Sequence, residues 1–262
     1  MRLLPLLRSA ALAVALLPAL ASAQTANGDW TMTPIRGGRG LTSRDTVQIT
    51  IIHEPNWTSS FPISLTRFRD LSSDALRGDP AAARFRIESD AGIIVFTGHV
   101  GGGSGSGEFT FSTNRAFSDA LRTRHVPGAA SDDDLFRLAV SGSTLASVDR
   151  VLGALHRYDD AIPSASELAR FSSHGISDAT IEDLGEAGLR QMEPEEVVRL
   201  VNHGVDGRYV REWREAGYRD LDAEQLIRLR NHDVTSQWAR QANERNGSRL
   251  DVDRLLRMRR GR

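Results

Sequence analysis

Leu200–Tyr218 reads LVNHGVDGRYVREWREAGY. Two apolar runs with helical spacing are separated by His203-Gly204-Val205, and the second run stops at Ala216-Gly217-Tyr218. A glycine after the last turn of a helix supplies the left-handed conformation that ends it, and the apolar residue beyond packs back on the helix. The stretch therefore reads as two short helices joined and terminated by the same glycine device. It recurs. His174-Gly175-Ile176 and His232-Asp233-Val234 stand 29 residues to either side of the central joint, and Gly188 lies 29 residues before Gly217. Leu168, Val197, Leu226 and Leu255 keep the same beat, as do Ser164, Glu193, Asp222 and Asp251. A period near 30 residues marks stacked supersecondary units.

Within each unit the polar member of the second series precedes an apolar run. Ser164 with Glu167 and Asp222 with Gln225 have capping-box spacing, and Glu193 is followed by Pro194 and Glu196. Ser177, Asp206 and Thr235 are placed to cap the second helix of each pair. Leu135, Leu138 and Ser141-Gly142 form an earlier, degenerate copy at an offset of 33. The repeats are thus expected near 132–160, 164–192, 193–221 and 222–250, with a half-repeat at 251–262 whose Arg254, Arg257, Arg259, Arg260 and Arg262 give the stack a polar end.

Upstream the pattern changes to strand. Val47–Ile52, Ala83–Glu88, Gly92–Thr97 and Glu108–Phe111 are β-branched or aromatic runs bounded by turn formers, with a loop or single helical turn at Thr66–Leu76. The fold class is therefore α+β: a small antiparallel sheet or sandwich over 24–115, then an all-α array of two-helix repeats over 116–262. GGGSGSG, Gly101–Gly107, is read as a flexible hairpin connection. A phosphate loop would lead into a helix and carry lysine, and this chain has none. His53-Glu54-Pro55-Asn56-Trp57 fails as a zinc-peptidase helix, because Trp57 stands where the second histidine belongs.

The first 23 residues combine a basic start, an apolar run and small residues at Ala21 and Ala23, which predicts a secretory signal peptide and a periplasmic or secreted chain without a later membrane span. There is no cysteine, so neither disulfides nor thiol chemistry contribute. Thirty-three basic residues against 34 acidic ones give no basic stripe of the kind a nucleic-acid partner needs.

Recurring histidines raise the question of a metal. Residues one repeat apart lie on successive units rather than around one point, so His174, His203 and His232, with Gly175, Gly204, Gly188 and Gly217, are assigned to the joints. No cofactor is assigned. Tyr209, Trp213 and Trp238 are candidate contact aromatics, although aromatics at this spacing are more often core. A competing reading draws an acid and a base from His53, Glu54, His99 and Glu108 in the sheet and makes the chain a hydrolase.

Asp29-Trp30, VQITI at Val47–Ile51, FRIESDAGIIVFTG at Phe85–Gly98, GGGSGSGEFTF at Gly101–Phe111 and the helical repeats resemble an extracytoplasmic bacterial module found alone or appended to BlaR/MecR-type membrane metallopeptidases. The resemblance spans nearly all of the chain after residue 23 and implies a sensor or regulator that acts with such a peptidase, whereas the extended surface of the repeats, with no converging catalytic set, points to a non-catalytic module that binds a protein, peptide or envelope polymer. It carries over no catalytic residue, since the peptidase's zinc motif is not in this chain.

Overall fold

The computed structural model describes residues 24–35, 46–53 and 57–260; the expected signal segment, Glu54 and Arg262 lie outside them. The architecture is α+β: a six-stranded antiparallel sheet followed by the helical array. Strands β1 (Gln24–Pro34), β2 (Thr46–His53) and β3 (Trp57–Ser64) form one meander, and β4 (Ala81–Ser89), β5 (Gly92–Gly101) and β6 (Ser104–Thr113) form a second. Pairing of β1 with β6 joins them in the order β3-β2-β1-β6-β5-β4.

Period-2 alternation gives the sheet one buried face, carrying Trp30, Met32, Ile49, Ile51, Phe85, Ile87, Phe96, Phe109 and Phe111. The connection from β3 to β4 crosses under this face, with a 3-10 turn at Leu65–Arg67 and helix α1 (Ser73–Arg77). Phe68 from that connection meets Phe85 and Phe96 edge-on at 5.3 and 5.8 Å. Helix α2 (Arg115–Thr123) follows the sheet, and α3 (Asp132–Ser141) lays Phe136 against Phe109 and Phe111. One continuous cluster of buried residues runs from the sheet through α3 to the last helix.

The glycine-rich stretch is only partly a turn. Gly102 and Gly103, at φ 58° and 85°, make the two-residue hairpin, whereas Ser104–Gly107 is already strand. A Cβ on Gly105 would lie 2.8 Å from Val100 Cγ1 and 3.0 Å from Trp30 Cη2. Gly105, and Gly107 opposite Trp30 and Gly98, form a floor without side chains on which the indole lies. Its Nε1–H donates to Glu108 O at 3.1 Å and Thr97 O at 3.3 Å.

The array runs in helix pairs: α3 with α4 (Leu145–Arg157), α5 (Ala165–Ser173) with α6 (Asp178–Glu186), α7 (Pro194–Asn202) with α8 (Gly207–Glu215), α9 (Ala223–Asn231) with α10 (Ser236–Asn246), and then α11 (Val252–Arg260). Helices pack on their equivalents one unit away, α3 on α5, α5 on α7, α7 on α9 and α9 on α11, with α4, α6 and α8 in a second row. Ser164 with Glu167 and Asp222 with Gln225 form capping boxes. Asp206 and Thr235 accept from Tyr209 N and Trp238 N at 2.7 and 3.1 Å.

Each helix from α2 to α9 ends in one left-handed residue, and the following N–H closes on the carbonyl five residues back. Ile176 reaches Phe171 O at 2.8 Å, Val205 reaches Leu200 O at 2.9 Å and Val234 reaches Leu229 O at 3.0 Å. Most left-handed positions are glycine; Asp233 is an exposed exception at φ 52°. Asp233→Gly is accordingly expected to raise the unfolding free energy by about 0.5–1 kcal/mol, read as a higher urea midpoint. An unchanged midpoint would mean the joint carries no strain.

At the joint after α4, the buried position that is apolar at every other joint except Ser143, after α3, holds Asp160. Its Oδ1 accepts from Met192 N at 2.8 Å and ties α4 to the chain entering α7. Burial raises its pKa above the ordinary carboxylate value, against hydrogen bonds from Met192 and Gln191. A raised folded pKa means stability is greatest below the unfolded value and declines as pH rises through the folded one. Asp160→Asn, which keeps an acceptor for Met192, is therefore expected to stabilise the protein at pH 7 and to lose that advantage near pH 3. Equal effects at both pH values in urea titrations would contradict the buried charge.

Candidate functional site

The sequence-derived positions separate into structural and surface groups. His174, His203 and His232 stand at the C-caps of α5, α7 and α9, directly before Gly175, Gly204 and Asp233. His203 Nδ1–H donates to Asn231 Oδ1 at 2.9 Å, and Arg260 donates to His232 Nε2 at 3.0 Å. These contacts link successive units, His203 to α9 and His232 to α11. Gly188 and Gly217 end α6 and α8 at φ 105° and 89°.

Two contact aromatics require correction. Trp213 is fully buried and Tyr209 nearly so, packed edge-on at 6.3 Å, with Tyr218 5.3 Å from Trp213 on its other side. They face the neighbouring units because the second-helix stripe is the stacking face, so both are covered within the chain. Trp238 is half-buried and packs against the same core.

Among the described residues, the three members of the carboxylate and histidine set in the sheet, His53, His99 and Glu108, do not converge. His53 Nδ1–H donates to Asn27 O at 2.8 Å, and its ring lies 6.3 Å from both Phe109 and Phe136, on the helix-covered side. His99, opposite Ser106, and Glu108, opposite Thr97, project from the other face of the sheet. Strand alternation thus puts the sheet between His53 and the other two.

What sequence reasoning missed is a groove of about 510 Å³ at the first edge of the sheet. One wall is the strand β3 itself, Ser59 to Ser64, and the other is formed by the C-terminal ends of α3 and α5, with Val140, Ser141, Ser172, Ser173 and Gly175. The volume falls in the range of small-molecule and peptide sites. Strand β3 is the end of the sheet order, so its outer edge pairs with no strand among the described residues. Thr58–Ser64, TSSFPIS, carries no charge. The opposite edge is different: β4 bears Arg84, Arg86 and Glu88, and Arg69 covers it through reciprocal backbone bonds with Arg86 at 2.8 and 3.1 Å. Natural sheets blunt exposed edges with charge, proline or a covering segment; β4 has two of these devices and β3 has Pro62 alone.

Arg67 and Arg137 also line the groove. Arg137 Nη2 donates to Asp133 Oδ2 at 3.0 Å. The Arg67 guanidinium is set against Gly142, where a side chain would collide with it, and its Nη2 has no hydrogen-bond partner among the described residues. Desolvation lowers the Arg67 pKa from its ordinary value. A serine chain backs the wall: Ser141 Oγ to Ser143 Oγ and Ser143 Oγ to Ser172 Oγ are each 3.0 Å, linking α3 to α5.

No family model, curated protein or solved structure matches this chain. The groove has to be interpreted from its own chemistry. It offers a strand edge and one buried guanidinium nitrogen that are unpaired among the described residues, hydroxyls and a few apolar side chains, and these together suit recognition of an extended chain. No described helix is long and apolar enough to cross a membrane.

Proposed function

We propose that the chain is a non-catalytic binding module, exported to the bacterial cell envelope, that holds an extended peptide segment of a partner in the groove beside β3. The observation that carries this reading is an uncharged strand edge, paired with no strand among the described residues, beside a groove walled by two helix ends. Strand addition supplies affinity through backbone hydrogen bonds, and side-chain pockets such as that around Val140 select among sequences. The stack of repeats fixes α5 against α3 and so holds the outer wall at a set distance from the strand.

The test uses the full chain, a fluorescein-labelled random pentapeptide pool and hydrogen exchange. Bound peptide is expected to slow exchange at Ser59–Ser64. Ser173→Trp, which places an indole in the groove from an exposed position, should reduce binding by at least about tenfold. Undiminished binding to Ser173→Trp, or protection confined to another region, would remove the groove from consideration.

A further inference from the structure

We propose that the groove reads the C-terminal carboxylate of its peptide, and that the Arg67 guanidinium is the group that receives it. This rests on the peptide-binding reading above and adds the chemistry of the ligand's end. The lining order runs along β3 from Ser59 to Ser64, and the chain then turns at once into Leu65–Arg67. Arg67 therefore belongs to the turn that closes the strand, where an added strand stops rather than passes. Ser64 is committed elsewhere, since its hydroxyl caps the turn by accepting from Thr66 N at 3.3 Å.

The two arginines are not equivalent. Arg137 is engaged by Asp133, four residues earlier on the same helix. Arg67 has no ion pair among the described residues, is partly withdrawn from water with its Nη2 buried, and is held against Gly142 by a contact that any side chain at position 142 would obstruct. A guanidinium desolvated on one side gains from an anion on the other, because a charge-assisted hydrogen bond restores part of the lost solvation. The C-terminal end of α3, at Gly142, favours the cation, and a carboxylate at the groove end adds a full opposite charge.

Direction follows. A carboxylate at Arg67 requires the ligand to run parallel to β3, from the Ser59 end toward Ser64, making a mixed seventh strand on an otherwise antiparallel sheet. An antiparallel ligand would bring its amino terminus to the guanidinium, where two positive charges oppose each other.

The experiment compares two random pentapeptide pools on the immobilised full chain, one with free C-terminal carboxylates and one C-terminally amidated. Side-chain carboxylates are the same in both, so the difference isolates the chain end. The free-acid pool is expected to be retained about tenfold or more above the amide pool. Arg67→Gln should bring that ratio to about one while retention of the amide pool is unchanged, and Arg67→Lys should keep part of the preference. Equal retention of both pools with Ser59–Ser64 protected would overturn the carboxylate assignment and leave the groove standing. A preference that survives Arg67→Gln would overturn the role of Arg67, and retention of neither pool would overturn both readings.

Discussion

Trp30→Ala is expected to lower the unfolding free energy by about 3–5 kcal/mol, the range for deleting a large buried aromatic, measured by urea denaturation. The indole has no exposed surface and meets Phe85 and Phe96 edge-on at 5.1 and 5.9 Å. Two effects combine. Alanine removes the ring that fills the space above Gly105, and glycine has no side chain with which to collapse into the cavity. It also leaves Thr97 O and Glu108 O without the indole donor. Because Trp30 sits on β1, which pairs with β6 and joins the two meanders, the loss falls where the halves of the sheet meet. A decrease below about 1 kcal/mol would show that the floor relaxes around alanine and that the sheet does not depend on this ring.

Trp213→Ala should cost a similar amount, about 3–5 kcal/mol, with a different spatial signature. Trp213 is buried between Tyr209 and Tyr218 in the α7–α8 unit, and Tyr218 in turn donates to Leu250 O at 2.8 Å at the entry to α11. In a stack, each unit is held mainly by its neighbours, so damage spreads along the array before it reaches the sheet. Hydrogen exchange should accelerate across α7 to α11 while the amides of β4–β6 keep most of their protection. Equal acceleration in the sheet would mean that the array and sheet unfold as one cooperative unit, consistent with their shared core but contrary to this expectation.

The units were legible because their punctuation is chemical. Ser164, Asp206 and Asp222 cap for the reason their side chains predict, and Gly175, Gly204 and Gly217 adopt the conformation that other residues resist. Strand β1 escaped because Ala26 and Gly28 fill the inward positions before Trp30 and Met32, so its alternation has little hydrophobic contrast. Strand β3 escaped because serines and Pro62 lower its strand propensity, the very composition expected of an edge. The groove was invisible for a further reason. It joins β3 to α3 and α5 across more than seventy residues of sequence, and no local pattern marks Ser59, Arg67 and Ser173 as neighbours. For Tyr209 and Trp213, spacing indicated an apolar stripe but could not say that the next unit would cover it.

The surface arginines show which contacts set register rather than hold the stack. Arg170–Glu195 and Arg228–Asp253, each at 2.6 Å, and Arg199–Glu224 repeat along one row of helices. All are substantially exposed, and exposed pairs are worth roughly 0–1 kcal/mol each. The buried leucines of the same helices, Leu168, Leu200, Leu226 and Leu229, carry the cohesion.

The first unit differs from the others in a way that bears on how such arrays lengthen. Helix α4 has 13 residues where α6 has 9, which accounts for the offset of 33 in place of 29. Four residues are close to one helical turn of 3.6, and Val148, Val151 and Leu155 still share a buried face ahead of the joint after Tyr158. A duplicated unit can therefore grow or shrink by whole turns without rotating everything downstream of it. A single inserted residue would turn the following helix by about 100 degrees, which makes length variation in this architecture a discrete variable.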